Sequence, residues 1–322
     1  MPLAFDTEYI AAFKSFESGI TARPIPKLHD VKTRRANLAA IMKEAFNALP
    51  DPDDIEQQTI NITSFDNALV EVLRTRICPF DRSLPTAAII HVHGGGMIAG
   101  STEIFAKHIG RLVNQSRITI FSVNYRKAPE YPHPVPVEDV YAALQFMHNN
   151  AANLNLDLTR IAIMGESAGG GIAAGVALMA RDRGIDPPIA KQILIYPMLD
   201  DRNLAPDTTL SPFAFWTYES NETGWTALLG EEAGKADADV PSYAAPARAK
   251  NLNGLPQTYI DVGELDIFRD EDVALVCSLM KAGVSVEFHL YPGVPHAFDW
   301  LAPQTTIAKT ALRNRIRAMQ AI

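Results

Sequence analysis

A serine between two glycines is the residue in this chain best suited to chemistry. The segment Gly165-Glu166-Ser167-Ala168-Gly169 follows the apolar run RIAIM and precedes AGGGIAAGVALMARDR, which has a helical composition. In a strand–turn–helix, the turn raises the serine oxygen clear of the backbone, and the helix N-terminus directs amide groups at an anion formed there. The alternative is an ordinary small-residue turn, which the strand–turn–helix context makes the weaker interpretation. The pattern therefore predicts Ser167 as the nucleophile of an acyl transfer.

A second motif offers hydrogen-bond donors for that reaction. His93-Gly94-Gly95-Gly96 ends the apolar run AAIIHVH. Acyl transfer places negative charge on a carbonyl oxygen, and each well-placed N–H group stabilises it by about 3–4 kcal/mol. Consecutive glycines let the backbone approach a substrate closely. We expect Gly94, Gly95 and Gly96 to form an oxyanion hole together with the N–H of Ala168.

The nucleophile also needs a base and a group that orients the base. His296 comes just after the β-rich run SVEFHLY, and three acids, Glu264, Asp266 and Asp270, follow the run QTYIDV. Open α/β sheets place their sites at the carboxyl ends of the strands, where these residues would lie. The chain order of serine, acid and histidine is the one expected for a nucleophile on this kind of turn. His296 is the predicted base, with the acid open among the three.

These motifs together resemble the hormone-sensitive-lipase family of α/β-hydrolases, which includes many bacterial carboxylesterases. HGGG and GESAGG occur in that order, and their His93 and Ser167 lie 74 positions apart (167 − 93). Between them, NYRKAPEYPHP at 124–134 resembles a further family segment. The resemblance covers residues ~85–300 and implies a serine esterase of the α/β-hydrolase fold.

The same resemblance assigns the acid and the histidine. GELDIFRDE at 263–271 resembles the family's acid loop and singles out Asp266, and PGVPHAF at 292–298 matches the histidine loop. It therefore implies Ser167, Asp266 and His296 as the triad. Met97 departs from the family, which often places an aromatic residue after HGGG, so nothing about the substrate is inferred from that wall of the pocket.

The pattern of apolar runs predicts the elements that position these residues. Short β-branched runs, the first at Thr59–Ser64, alternate from the third run onward with helical stretches at 103–115, 135–149, 168–182 and 270–282. This order is typical of an α/β fold with a mostly parallel sheet of eight strands and helices on both faces. Residues 51–200 and 256–322 are the predicted catalytic core. Residues 1–50 have the periodicity of two helices. Residues 201–255 interrupt the alternation without a strand signal and hold helical fragments around Phe213–Tyr218 and Glu222–Leu229. Both segments are predicted to contribute to a helical cap.

That cap carries an expectation about substrate size. An apolar, partly enclosed pocket favours longer acyl chains only until it is full. By family resemblance, we expect a preference for short- to medium-chain acyl esters, about four to eight carbons. The expected partner is thus a small-molecule ester, and a homodimer is left open.

Charge and composition bound the remaining partners and the compartment. The chain has 322 residues and a formal net charge of −8, which opposes nucleic-acid binding. No segment approaches the ~20 apolar residues of a membrane span, and the N-terminus lacks a secretory pattern, so no membrane partner is expected. The two cysteines, Cys78 and Cys277, form no pattern and suit a reducing compartment. A cytoplasmic location follows as the expectation.

No metal or cofactor is predicted. His91 and His93 share one face of a strand and would suit a metal, but no further ligand cluster follows, so we favour one core histidine and one that orients the loop. Gly94, Gly96 and Ala99 fit a dinucleotide pattern, but no acid follows at the required distance. The aromatic residues Trp216, Tyr218 and Trp225 are interpreted as packing within the cap, and the other histidines as surface or packing residues. These histidines are His29, His108, His133, His148 and His289.

Two functions of other classes remain as alternatives. A non-catalytic ligand receptor on the same fold would have lost part of the triad, whereas Ser167, Asp266 and His296 are all present here. A metal-dependent hydrolase built on His91 and His93 would lose activity on chelation, which separates it from a serine enzyme.

Overall fold

Eight strands form one sheet in the computed structural model, which describes residues 2–322 apart from the side chains of residues 15, 16 and 18. The strands are β1 Ile55–Thr63, β2 Leu69–Ile77, β3 Thr86–Val92, β4 Thr119–Val123, β5 Leu156–Glu166, β6 Lys191–Ile195, β7 Gln257–Gly263 and β8 Val286–Tyr291. Their order is β1-β2-β4-β3-β5-β6-β7-β8. The β1–β2 and β2–β4 pairs are antiparallel and all the others are parallel. The prediction of a mostly parallel eight-stranded sheet is confirmed.

Helices cover both faces of the sheet, also as predicted. They are α1 Thr7–Thr21, α2 Val31–Asn47, α3 Thr102–Ser116, α4 Val135–Asn149, α5 Ala151–Leu154, α6 Ala168–Asp182, α7 Tyr218–Leu229, α8 Arg269–Lys281, α9 Phe298–Leu301 and α10 Thr306–Gln320. Helices α4, α6 and α8 pack on the face that carries Ile90, and α2, α3 and α10 pack on the face that carries Ile89. Adjacent residues of β3 are thus buried on opposite faces, as the continuous apolar run requires.

The edges of the sheet differ from the sequence expectation. The predicted first strand begins at Thr59, whereas β1 begins at Ile55 and pairs with Ile77. Residues 56–58 are polar, so the apolar pattern that predicts strands does not extend to them. β1 is the edge strand, and one of its sides faces solvent.

Helix α10 was not among the predicted helices. Its last turn is capped by Lys191, whose Nζ donates to the carbonyl oxygens of Ala318 at 3.0 Å and Ala321 at 2.9 Å.

Residues 1–50 and 201–255 lie outside the alternating core and contact each other. The Nη1 of Arg34 in α2 donates to Ser220 Oγ at 2.6 Å, and the His29 N–H donates to Thr223 Oγ1 at 3.1 Å. The structure contains a 3-10 turn at Ser211–Phe213 where a helical fragment was expected at Phe213–Tyr218, and α7 begins only at Tyr218. Thr217 ends the irregular stretch by accepting from the Ser220 N–H at the N-cap of α7.

Within residues 2–322, the structure has no helix that is both long enough and apolar enough to cross a bilayer.

Candidate active site

Ser167 occupies a strained turn between β5 and α6. Its backbone has φ 57° and ψ −124°, outside the regions that a side-chain-bearing residue normally adopts. Such a conformation costs on the order of 1–3 kcal/mol and persists only where its surroundings hold it. Here the Ser167 N–H donates to Ile195 at 2.8 Å, and the Ser167 carbonyl accepts from Met198 at 2.9 Å. The hydroxyl is thereby fixed at the carboxyl edge of the sheet.

Two flanking glycines make the turn sterically feasible. A Cβ on Gly165 would lie 2.2 Å from the carbonyl oxygen of Gly169, and a Cβ on Gly169 would lie 2.0 Å from that of Val92. Neither distance is compatible with a side chain. The G-x-S-x-G spacing is therefore required by backbone-to-backbone contact on both sides of Ser167.

Three side chains from distant parts of the chain meet at Ser167. His296 Nε2 lies 2.9 Å from Ser167 Oγ, and His296 Nδ1 lies 2.6 Å from Asp266 Oδ2. The imidazole is packed against the edges of Tyr196 and Phe268, with ring centroids 4.7 and 5.1 Å apart. An Nδ1–H donated to Asp266 leaves Nε2 free to accept from the serine hydroxyl. The geometry is that of a serine nucleophile, a base and an orienting acid.

The other two candidate acids, Glu264 and Asp270, are engaged elsewhere. Glu264 Oε2 accepts from the Gly293 N–H at 2.9 Å, and Asp270 pairs with Arg269 at 2.7 Å on the surface. Asp266 also accepts from the Phe268 N–H through Oδ1 at 3.0 Å. Of the three acids left open by strand position, Asp266 is the one in contact with His296.

The glycine loop after β3 faces Ser167. Gly95 and Gly96 have φ values of 126° and 61°, which favour glycine. A Cβ on Gly96 would lie 2.2 Å from the ring of Trp216, and one on Gly94 would lie 3.3 Å from Ser167 Cβ. Within residues 2–322, the N–H groups of Gly95, Gly96 and Ala168 have no hydrogen-bond acceptor. These donors are therefore available to a ligand.

The two histidines of the H-x-H pattern hold different structural positions. His91 Nδ1 lies 2.8 Å from Ser122 Oγ, and its Nε2 lies 2.8 Å from Glu166 Oε2. His93 stacks on Tyr125 with centroids 4.4 Å apart, and its Nδ1 lies 2.9 Å from the Gly94 carbonyl oxygen. His91 is a core residue that contacts a carboxylate, and His93 contacts the glycine loop. The described part of the chain contains no group of three side chains arranged to hold a metal ion.

A narrow cavity opens onto Ser167, His296 and the glycine loop. Much of its wall is apolar: Leu38, Met42, Phe46, Phe105, Phe215 and Trp300. A wider outer cavity lies between α1, α2 and residues 212–220. Leu38, Phe215 and Trp216 line both cavities and separate the two.

Several residues of the cavity were missed by sequence reasoning. Trp216 was expected to pack in the cap, and His108 was expected at the surface or in packing, yet both line the cavity. His108 shares a helix face with Phe105 and Leu112, so the periodicity marked that face as buried without showing what it meets. Met97 is fully buried and is not among the lining residues.

The fold and site define a hydrolase of the α/β class, and known proteins identify its family. A family model described as the alpha/beta hydrolase fold matches residues 89–299. The esterase LipI of Mycobacterium tuberculosis is 32% identical over 249 residues, which are 76% of this chain and 75% of the relative. An ethyl acetate hydrolase of Pseudomonas putida is 25% identical over 99% of both chains. The solved structure of a bacterial heroin esterase has a TM-score of 0.89 at 33% identity, over 99% of this chain and 98% of that one.

The chain therefore belongs to the α/β-hydrolase family, in its hormone-sensitive-lipase branch. It is an enzyme of the carboxylesterase class.

Proposed function

We propose that the protein hydrolyses short- to medium-chain acyl esters of small molecules through an acyl-enzyme on Ser167. The observation that carries the proposal is the continuous chain of contacts from Asp266 through His296 to Ser167 Oγ, at 2.6 and 2.9 Å, beside an apolar cavity. Each partner sits within the distance that proton transfer needs before any substrate binds.

The proposed reaction has two halves. In the first, His296 Nε2 accepts the Ser167 proton while Oγ bonds to the ester carbonyl carbon, and a tetrahedral intermediate forms. Its collapse breaks the ester C–O bond, and the proton on His296 goes to the departing alcohol. In the second half, His296 takes a proton from water, the resulting hydroxide attacks the acyl-enzyme, and Ser167 regains its proton as the acid leaves. Asp266 stabilises the charged imidazole in both halves.

The oxyanion hole in this proposal consists of backbone donors from Gly94, Gly95, Gly96 and Ala168. The unpaired N–H groups of Gly95, Gly96 and Ala168 support this assignment. Ala168 is the first residue of α6, so the helix dipole also favours negative charge there. Loss of one such donor typically costs about 3–4 kcal/mol of transition-state stabilisation.

The proposed size selectivity rests on a cap formed by residues 1–50 and 201–255. Leu38 from α2 and Phe215 and Trp216 from the second segment stand between the catalytic cavity and the outer one. Each CH₂ that enters an apolar cavity contributes about 0.8 kcal/mol, so kcat/KM rises with chain length until the wall is reached. We expect an optimum at about four to eight carbons, by family resemblance. The ethyl acetate hydrolase among the relatives supports a short acyl group.

The test is covalent labelling combined with an ester panel. A fluorophosphonate should add one adduct by intact mass, and Ser167→Ala should abolish both the adduct and turnover of p-nitrophenyl butyrate while the protein remains folded. Ser278→Ala is the matched control, because the Ser278 side chain is exposed on α8 and its hydroxyl donates to the Ala274 carbonyl. An adduct that persists on Ser167→Ala would refute the nucleophile. Faster hydrolysis of emulsified long-chain triglyceride than of the butyrate would refute the size class.

A further inference from the structure

Two polar side chains in the catalytic cavity have no part in the proposed mechanism. Glu166 and His108 both line it, among walls that are otherwise mostly apolar. The other polar side chains of the wall are already occupied. Tyr196 donates its hydroxyl to Asp299 at 2.9 Å, and Trp216 donates its indole N–H to Asn221 at 3.2 Å. Glu166 and His108 are thus the side chains that can offer new hydrogen bonds to a bound molecule.

Glu166 carries a buried negative charge. Burial alone would raise the pKa of its carboxyl, but the contacts with His91 and the charge of Arg315 oppose that effect, and the pKa lies below its usual value. Its side chain is only 6% exposed. His91 Nε2 contacts both carboxylate oxygens, at 3.0 and 2.8 Å. Since each carboxylate oxygen accepts up to two hydrogen bonds, Oε1 retains room for a second donor.

His108 is a neutral imidazole without a hydrogen bond. Burial lowers its pKa to about 4, so the ring is uncharged near neutral pH. It stacks on Phe46, with centroids 5.2 Å apart, and its side chain is 16% exposed. No residue in the described part of the chain forms a hydrogen bond with it. Its Nε2 lies 3.8 Å from Glu166 Oε1, too far for a direct hydrogen bond.

We propose that His108 and Glu166 form a subsite for a hydroxyl group, and that the enzyme prefers esters bearing an alcohol on the moiety that lies in the cavity. A hydroxyl oxygen about 2.8 Å from each atom bridges the 3.8 Å gap. It donates to Glu166 Oε1 and accepts from His108 Nε2–H, which uses both of its functions. This inference rests on the proposed esterase function and specifies its substrate class.

A methyl group at the same place would satisfy neither partner. A cavity built to hydrogen-bond a hydroxyl discriminates against the analogue that lacks it, because buried polar groups are then left unpaired. We expect kcat/KM for the hydroxylated ester to exceed that for its methyl isostere by about tenfold, where an unassisted apolar cavity would favour the methyl compound.

The experiment compares matched esters on wild type and variants. On the alcohol side, the monoacetates of ethylene glycol, butanediol and hexanediol are paired with propyl, pentyl and heptyl acetate. On the acyl side, the methyl esters of butyrate and hexanoate with a terminal hydroxyl are paired with methyl valerate and methyl heptanoate. The two arms show which moiety enters the cavity. The readout is the kcat/KM ratio within each pair, measured by titrating the released acid.

His108→Phe keeps a flat ring against Phe46 and should lower the best ratio about tenfold, whereas His108→Gln, which retains a donor, should restore part of it. His148→Phe, on α4, is the matched control and should leave the ratio unchanged. A wild-type ratio below one in every pair, or the same ratio in wild type and His108→Phe, would overturn the subsite. Hydrolysis of the apolar esters in that case would leave the esterase proposal intact, whereas no hydrolysis of any ester would refute the esterase itself.

Discussion

Arg35 of α2 donates its Nε–H to the carbonyl oxygen of Ile98, at 2.6 Å, in the loop that carries the candidate oxyanion donors. Its guanidinium also donates to the Ala128 carbonyl at 3.1 Å and makes a bidentate pair with Glu130 at 2.8 and 2.7 Å. The Ile98 N–H in turn donates to Gly95 at 3.2 Å. An N-terminal helix and the glycine loop are thus joined through one side chain.

Replacing Arg35 should therefore impair catalysis more than binding. Arg35→Met leaves the Ile98 and Ala128 carbonyls without their donor, and the loop loses its fixed position. Because the oxyanion exists only in the transition state, we expect kcat for p-nitrophenyl butyrate to fall about tenfold with a smaller change in KM. Arg23→Met is the control, since Arg23 pairs with Glu44 at the surface. A change in KM alone would contradict the role of Arg35 in positioning the loop.

The Asp266–His296 contact makes a separate prediction about the acid. Asp266→Asn replaces the acceptor of the Nδ1–H and favours the wrong imidazole tautomer, so kcat should fall by about four orders of magnitude with little loss of structure. Steady-state assays measure kcat, and circular dichroism measures how much structure is retained. Asp270→Asn should behave like wild type, because Asp270 is exposed and pairs with Arg269. Equal losses in the two variants would move the acid away from Asp266.

Trp216 should set the limit on substrate length. Its ring stands against Gly96 and lines both the catalytic and the outer cavity, so Trp216→Ala joins the two. The chain-length optimum for p-nitrophenyl esters should move to longer acyl groups, and activity on acetate should fall as contacts are lost. Phe213→Ala, which alters the outer cavity alone, provides the comparison. An unchanged chain-length profile in Trp216→Ala would show that the acyl chain ends before it reaches the Trp216 ring.

The lowered pKa of His108 leads to a prediction of how the free energy of unfolding depends on pH. Its pKa is about 4 in the folded protein against an ordinary value of 6.5, so the unfolded chain binds more protons between these values. This contribution to the free energy of unfolding is complete above pH 6.5 and is lost as the pH falls toward 4, on the order of 3 kcal/mol in all. Urea unfolding of wild type and His108→Phe, compared near pH 7 and about pH 5, should give a smaller pH effect in the variant. Parallel pH dependence would contradict the buried, neutral state of His108.

Local pattern explains which parts of the site were predictable. Ser167 lies between glycines that the turn itself requires, and Asp266 and His296 follow apolar runs whose carboxyl ends meet at one edge of the sheet. His108 and Trp216 reach the cavity through packing between distant segments, which periodicity does not encode. The start of β1 escaped prediction for a related reason, because backbone pairing with β2 suffices there and the side chains are polar.

The reactive groups and much of the cavity wall come from separate stretches of the chain. Ser167, Asp266, His296 and the glycine loop all follow strands of the sheet, whereas α2 precedes the first strand and touches the reactive loops through Arg35 and Ile41. One genetic crossover in residues 48–54, between α2 and β1, would exchange the part of the wall that α2 supplies and leave Ser167, Asp266 and His296 in place. We expect a chimera carrying the N-terminal segment of a relative to keep hydrolytic activity with a changed ester profile, which a substrate panel would test. Recombination can thus diversify substrate preference in this enzyme wherever the incoming helix retains an arginine to hold the loop.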